Sequence, residues 1–240
     1  MKKYTKLFLI TFAIMMIGCN EEDLNIDPNQ VSEVSLFQSE AGFEQATFGL
    51  YQKLRTFYYW RREPMHSLWL LPDDNLTTLG DRVGETFSSV NPENGQVREF
   101  YALNYELVNR ANIVLEKLEN EEGVFSNQQK KDQITGEVLF FRSYAYFLLW
   151  NFYGGGAPLV TERAKSFDDT FPESSGGNAL LNKAIEDLNT AKDLLPASWP
   201  SAMLGRGTKN SANALLASVI SCSLTPLPAI TPRTGKKLMA

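Results

Sequence analysis

Histidine is nearly absent from this 240-residue chain, with His66 as its single copy. That excludes a histidine-based catalytic triad and a histidine-rich zinc site, because one imidazole cannot build either. Cysteine is scarce too: Cys19 and Cys222 are the only two. Basic charge is in deficit, with 23 Lys+Arg against 28 Asp+Glu and a net charge of −5. No basic stripe runs through the sequence, so nucleic acid is not expected as a partner. No apolar run reaches the roughly 20 residues that a spanning helix needs. No phosphate-binding loop is present. Gly154-Gly155-Gly156 follows a helical pattern instead of a strand, so it reads as a helix stop and not a dinucleotide site. Asp73-Asp74 is a poor glycosidase pair, since catalytic carboxylates flank a bond at about 5–9.5 Å and adjacent residues seldom converge on one bond. No cofactor, metal site or enzyme activity is expected.

The N-terminus reads as an export signal. Lys2, Lys3 and Lys6 precede the apolar run Leu7 to Ile17, which is the length of a secretory signal core. Gly18 and Cys19 follow, and the tetrad Met16-Ile17-Gly18-Cys19 resembles a bacterial lipobox. Residues 1–18 are therefore expected to be a lipoprotein signal peptide, with Cys19 the lipidated new N-terminus carrying palmitate-type chains. One acyl chain holds a protein weakly, at about 0.8 kcal/mol per buried methylene, so several chains are needed for a stable anchor. If Cys19 carries lipid, no intramolecular disulfide remains possible. Removing Lys2, Lys3 and Lys6 leaves 20 basic against 28 acidic residues, net −8. Residues 19–38 open on Asn20-Glu21-Glu22-Asp23 and read as an acidic linker; the acidic start resembles a signal for display on the cell surface.

The remainder reads as paired amphipathic helices. Phe43, Ala46, Thr47, Leu50 and Leu54 recur at three and four, behind a candidate N-cap at Ser39. Arg98 to Asn120 is a second helix, with Tyr101, Tyr105, Val108, Ala111, Asn112, Leu115 and Leu118 on one side. A third starts at Ser126, where Ser126 and Gln129 have the capping-box form, and runs to about Tyr153. Its second half is apolar nearly all round and is expected at the centre of the fold. The triple glycine and Pro158 stop it. A fourth runs from Asn178 to Leu195, and a fifth opens at Thr208 with Ala212, Leu215, Leu216 and Val219. The implied class is an all-α helical-hairpin array over 39–219. A spacing of 39 relates Tyr105 to Tyr144 and Ala145 to Ala184, somewhat longer than the ~34-residue tetratricopeptide period.

Phe57 to Leu71 fits no single period, and Asp73 to Asn94, rich in Asp, Asn, Gly, Ser and Thr, reads as a long loop region. Tyr58, Tyr59, Trp60 and Trp69, followed by Asp73, Asp74, Asn75 and Arg82, have the composition of a sugar site. Flat rings stack on the apolar C–H face of a sugar, and carboxylate, amide and guanidinium groups bind its hydroxyls. The same rings also suit a core, since aromatic side chains mostly bury area; both readings stand open.

Four segments carry a family resemblance. The first is Gln133 to Val160, QITGEVLFFRSYAYFLLWNFYGGGAPLV, with Glu137, Arg142, Tyr144-Ala145-Tyr146-Phe147, Tyr153-Gly154-Gly155 and Pro158-Leu159. The others are Tyr105 to Leu118, Ala184 to Pro196 and Gly205 to Ala217. Together with the lipobox they resemble the SusD/RagB outer-membrane lipoproteins. The resemblance implies a SusD-like N-terminal domain with a tetratricopeptide-like core, docked on a SusC-like TonB-dependent transporter and capturing oligosaccharide or peptide nutrients at the cell surface. A helical-repeat scaffold at the outer membrane, binding only protein, is the alternative. After Val219 the sequence changes character. Residues 220–240 hold three prolines (Pro226, Pro228, Pro232) and no stripe, as expected of an out-of-frame or truncated product, or of a genuine short tail.

Overall fold

The computed structural model describes residues 33–55, 95–167, 169 and 171–224. All regular structure among them is helical, with no strand, as the periodicity predicts. Two units are distinguished: Met1–Leu36, which contains the single turn α1 (Glu33–Leu36), and Phe37–Ala240. In the second unit the helices are α2 (Glu40–Leu54), α3 (Gly95–Asn120), α4 (Gln128–Tyr153), α5 (Ala179–Leu194) and α6 (Lys209–Leu224). Each packs on its chain neighbour, and α4 also touches α2 and α6. No described helix is long and apolar enough to cross a membrane.

The helix starts follow from their caps. The Ser39 hydroxyl accepts from the Gly42 N–H at 3.2 Å, as expected of an N-cap. At α6, Thr208 and Ser211 exchange side-chain and backbone bonds, which closes both ends of a capping box. The start of α4 differs from expectation by one residue. Asn127 is the N-cap, its Oδ1 accepting from the Lys130 N–H at 2.9 Å. Ser126 is engaged elsewhere: its N–H and hydroxyl both donate to Glu40 at 2.9 and 2.7 Å. Two good capping residues stand side by side, and a tertiary bond decides between them.

Helix α4 is the hub. Ile134, Val138, Phe141, Ala145, Tyr146, Leu148 and Leu149 are at most 1% exposed, so apolar neighbours surround it. Full burial of each large apolar side chain is worth about 1.5–3 kcal/mol. On α3 the buried face is wider than the sequence stripe. Phe100, Leu103, Leu107 and Val114 join Val108, Ala111 and Leu118 inside, while Tyr101, Tyr105 and Leu115 lie at its margin. The helix opens at Gly95, three residues before Arg98.

Glycine sets two contacts. A Cβ on Gly136 would lie 2.9 Å from Leu195 Cγ, so its absence lets α4 and the end of α5 approach closely. Gly154 ends α4 at φ 65°, a conformation that side chains resist. Next to it, a Cβ on Gly155 would lie 2.6 Å from the Gly177 nitrogen, so two glycine turns meet backbone to backbone. The last helix runs to Leu224, five residues beyond the place where the sequence changes character.

Candidate functional site

Two buried ionic clusters, built from residues that carry the sequence resemblance, fix the framework on which any site sits. Arg142 is 7% exposed. Its Nε and Nη2 donate to the two Asp187 oxygens at 2.7 and 2.9 Å, and its Nη1 donates to Asn112 Oδ1 at 3.0 Å. Burial works against the guanidinium charge, but the paired bonds it donates to the Asp187 carboxylate outweigh it and hold the proton more tightly than usual. Asn112 then uses its amide to donate to the carbonyls of Val160 and Glu162 at 3.2 and 3.0 Å. Tyr146 donates to the Val160 carbonyl and Tyr105 to the Pro158 carbonyl, both at 2.6 Å. Carbonyls 158, 160 and 162 alternate along the chain, as expected of an extended segment with one edge pinned.

Glu137 stands five residues before Arg142, roughly 140° away around the helix at 3.6 residues per turn. It is fully buried. Arg206 grips it with Nε and Nη2 and donates from Nη1 to Glu44 at 2.7 Å. Tyr51 donates to Glu137 and accepts from the Gly207 N–H. The Arg206 guanidinium lies 4.2 Å from the Trp199 ring centroid and 5.1 Å from that of Phe48. Burial and the facing Glu137 charge push the Tyr51 phenol up, so it acts only as a neutral donor. This cluster ties α2, α4 and the turn before α6 together. Neither cluster presents a reactive group to solvent.

The described residues also form a cleft of about 600 Å³ between the C-terminal half of α3, the N-terminal half of α4 and residues 161–165. Leu115, Leu118 and Leu139 line it among Glu116, Glu119, Lys131, Glu162, Arg163 and Lys165. Its loop wall is the segment that Asn112 and Tyr146 pin. No aromatic ring lines it. The sequence did not reveal this cleft, because its wall is a loop returned onto two helices by side-chain bonds some 50 residues apart.

Every candidate ligand residue from the sequence (Tyr58, Tyr59, Trp60, Trp69, Asp73, Asp74, Asn75 and Arg82) lies outside the described residues, as does Cys19. The helices on either side of that segment, α2 and α3, both pack into the framework. Among the described residues no group of three His, Cys, Asp or Glu is placed to hold a metal ion. An aromatic pair that the sequence did not single out, Phe167 and Phe171, is largely exposed, with ring centroids 5.1 Å apart.

Residues 25–220 match the model of a SusD-like family described as starch-binding associating with outer membrane. No curated protein sequence matches the chain. Solved structures do. A SusD superfamily protein from Bacteroides vulgatus is 23% identical with a TM-score of 0.64, over 77% of this chain and 40% of that one. A SusD-like carbohydrate binding protein from Bacteroides fragilis is 19% identical with a TM-score of 0.63, over 77% and 37%. A laminarin binding SusD-like protein is 23% identical with a TM-score of 0.65, over 77% and 40%. The chain thus spans about two-fifths of the length of these structures, and at such identities the likeness shows the fold.

Proposed function

The chain belongs to the SusD-like family, whose description is starch-binding associating with outer membrane, and from that premise we propose that it is a surface lipoprotein that captures glycan, or peptide, for a SusC-like TonB-dependent transporter. The family match over residues 25–220 is the observation that carries this reading. Its anchor is an acylated Cys19 behind the signal peptide 1–18, with an acidic linker to residue 38. Ligand is held and handed on without chemical change. The rings of Tyr58, Tyr59, Trp60 and Trp69 supply stacking surfaces, and Asp73, Asp74, Asn75 and Arg82 supply hydrogen bonds to hydroxyls.

The rigidity of the helical framework suits this role. Two ion-pair clusters and the α4 core hold the helices that flank residues 56–94, so a site on those residues starts from fixed ends.

The test has four arms on the full chain expressed in a Bacteroides host. Palmitate labelling is expected to mark the wild type and not Cys19→Ala. Intact cells are expected to lose the wild-type protein to external protease. Affinity purification is expected to bring down a TonB-dependent barrel, and the purified chain to bind an oligosaccharide. An unlabelled product, soluble in the periplasm, contradicts the reading. A labelled product that brings down the barrel but binds neither oligosaccharide nor peptide replaces it with a scaffold role.

A further inference from the structure

The Arg206 cluster divides into a part that is complete without α2 and a part that α2 brings. The first part is the turn between α5 and α6. Trp199 Nε1 donates to the Gly207 carbonyl at 2.6 Å and the Lys209 N–H to the Pro196 carbonyl at 2.9 Å, so the turn is closed on itself. Gly205 lies in it at φ 97°, a conformation that side chains resist. Arg206 stacks on the Trp199 ring and donates to both Glu137 oxygens on α4. None of these contacts uses α2.

Helix α2 adds three side chains to that base. The Tyr51 hydroxyl donates to Glu137 and accepts from the Gly207 N–H, Glu44 accepts from Arg206 and Lys130, and the Phe48 ring lies against the guanidinium. The apolar hold of the helix is slim beside that. Its buried residues are Gly42, Phe43, Thr47, Leu50 and Lys53, so only Phe43 and Leu50 among them are large and apolar. Its backbone contact with α3 and α4 is thinner than that of α3 on α4, α4 on α5 or α5 on α6. Two further ties, Glu40 to Ser126 and Lys53 to Glu106, involve carboxylates near solvent. The Arg142 cluster, which joins α3, α4 and α5, has no member on α2.

From this division we infer that α2 is a detachable clip: it leaves and rejoins a framework of α3 to α6 that stays folded, and the Arg206–Glu137 pair is the seat it fastens to. Departure leaves no buried charge orphaned, because Glu137 keeps Arg206 when Tyr51 and Glu44 go. It bares the Phe141 ring of α4, which Tyr51 meets edge-on at 4.5 Å when docked. The fixed start that α2 gives to residues 56–94 lasts only while the helix is fastened. The opening itself does not depend on the glycan reading.

Amide hydrogen exchange on the full chain in detergent, read by mass spectrometry at several urea concentrations below the unfolding midpoint, tests this. In the wild type, the amides of α2 are expected to exchange faster than those of α4 and α5, and with a weaker urea dependence, since local opening exposes less surface than global unfolding. Tyr51→Phe removes two hydrogen bonds that only the docked helix makes, so α2 is expected to exchange about tenfold faster or more. Ala191→Gly, inside α5, weakens the framework without touching the clip. It is expected to speed exchange in α5 about fivefold and to leave α2 unchanged, because the open state of α2 keeps α5 folded. The inference is overturned if α2 shares the protection and urea dependence of α4 and α5, if Tyr51→Phe leaves α2 exchange as it was, or if Ala191→Gly speeds α2 as much as α5.

Discussion

Replacing Arg142 by methionine removes the cation at the centre of the fold while keeping most of its aliphatic volume. Asp187, 3% exposed, then loses a two-point partner at 2.7 and 2.9 Å, and Asn112 Oδ1 loses its donor. Removing one member of a buried pair costs about 3–5 kcal/mol, because the remaining charge stays desolvated. Lys183 Nζ stands 3.4 Å from Asp187 on the same helix and takes up part of that charge, which argues for the lower end. The unsatisfied amide oxygen of Asn112 adds about 1–3 kcal/mol. The net expectation is a loss of about 4 kcal/mol, or about 2 M in the urea midpoint at a slope of ~2 kcal/mol/M. Urea unfolding followed by helical circular dichroism measures it. The double change Arg142→Met, Asp187→Leu removes both charges and is expected to lose markedly less than the two single losses added together. A loss below about 1 kcal/mol for Arg142→Met, or strict additivity in the double variant, would refute the assignment of this pair as the framework's central tie.

Further outcomes follow from the same geometry. Gly136→Ala is expected to cost about 1–3 kcal/mol by overpacking against Leu195, and Leu195→Ala to relieve part of that loss; calorimetric melting of both checks it. Gly155→Ala meets backbone instead of a flexible side chain at Gly177, so it is expected to loosen the turn and increase proteolytic cutting near 174–177, with no such effect from Gly156→Ala. Asn127→Ala is expected to cost about 1 kcal/mol as a lost N-cap, whereas Ser126→Ala removes only one of two exposed bonds to Glu40 and is expected to cost less. On pH, burial opposes the charge of Glu44, yet bonds from Lys130 and Arg206 hold its carboxyl below the ordinary 4.5; Glu106 is held low in the same way by Lys53 and Arg110. Stability from such groups is complete above about 4.5 and is lost as pH falls through the lower folded value. The melting temperature is therefore expected to drop below pH 4.5, less steeply in Glu44→Gln.

The sequence disclosed the helices better than their fastenings. The apolar repeat located α5 to within a residue at each end, the capping residues and the triple glycine bounded α4 to within two, and Ser39 and Thr208 announced their helices by capping chemistry. Ser126 misled by one position because a distant Glu40 claimed its donors, which no local rule contains. The wider face of α3 escaped because helices on both sides in the chain, α2 and α4, pack on it, with the Phe100 ring 5.1 Å from that of Phe152 on α4. Glu137 and Arg142 stood out as motif residues, but their partners did not: Asp187 is 45 positions away, Arg206 69, and Glu44 meets Arg206 across 162. The aromatic candidates at 58–69 lie outside the described residues and stay a reading of composition.

Binding of oligosaccharide to the purified chain, compared between wild type and Trp60→Ala by titration calorimetry with circular dichroism alongside, tests the capture role most directly. Saturable binding by the wild type is expected, with that binding lost in Trp60→Ala while the helical spectrum and melting curve stay the same. A wild-type chain that is folded, acylated and inert toward every glycan offered would contradict glycan capture. A Trp60→Ala chain that binds as before would move the ligand away from that aromatic segment.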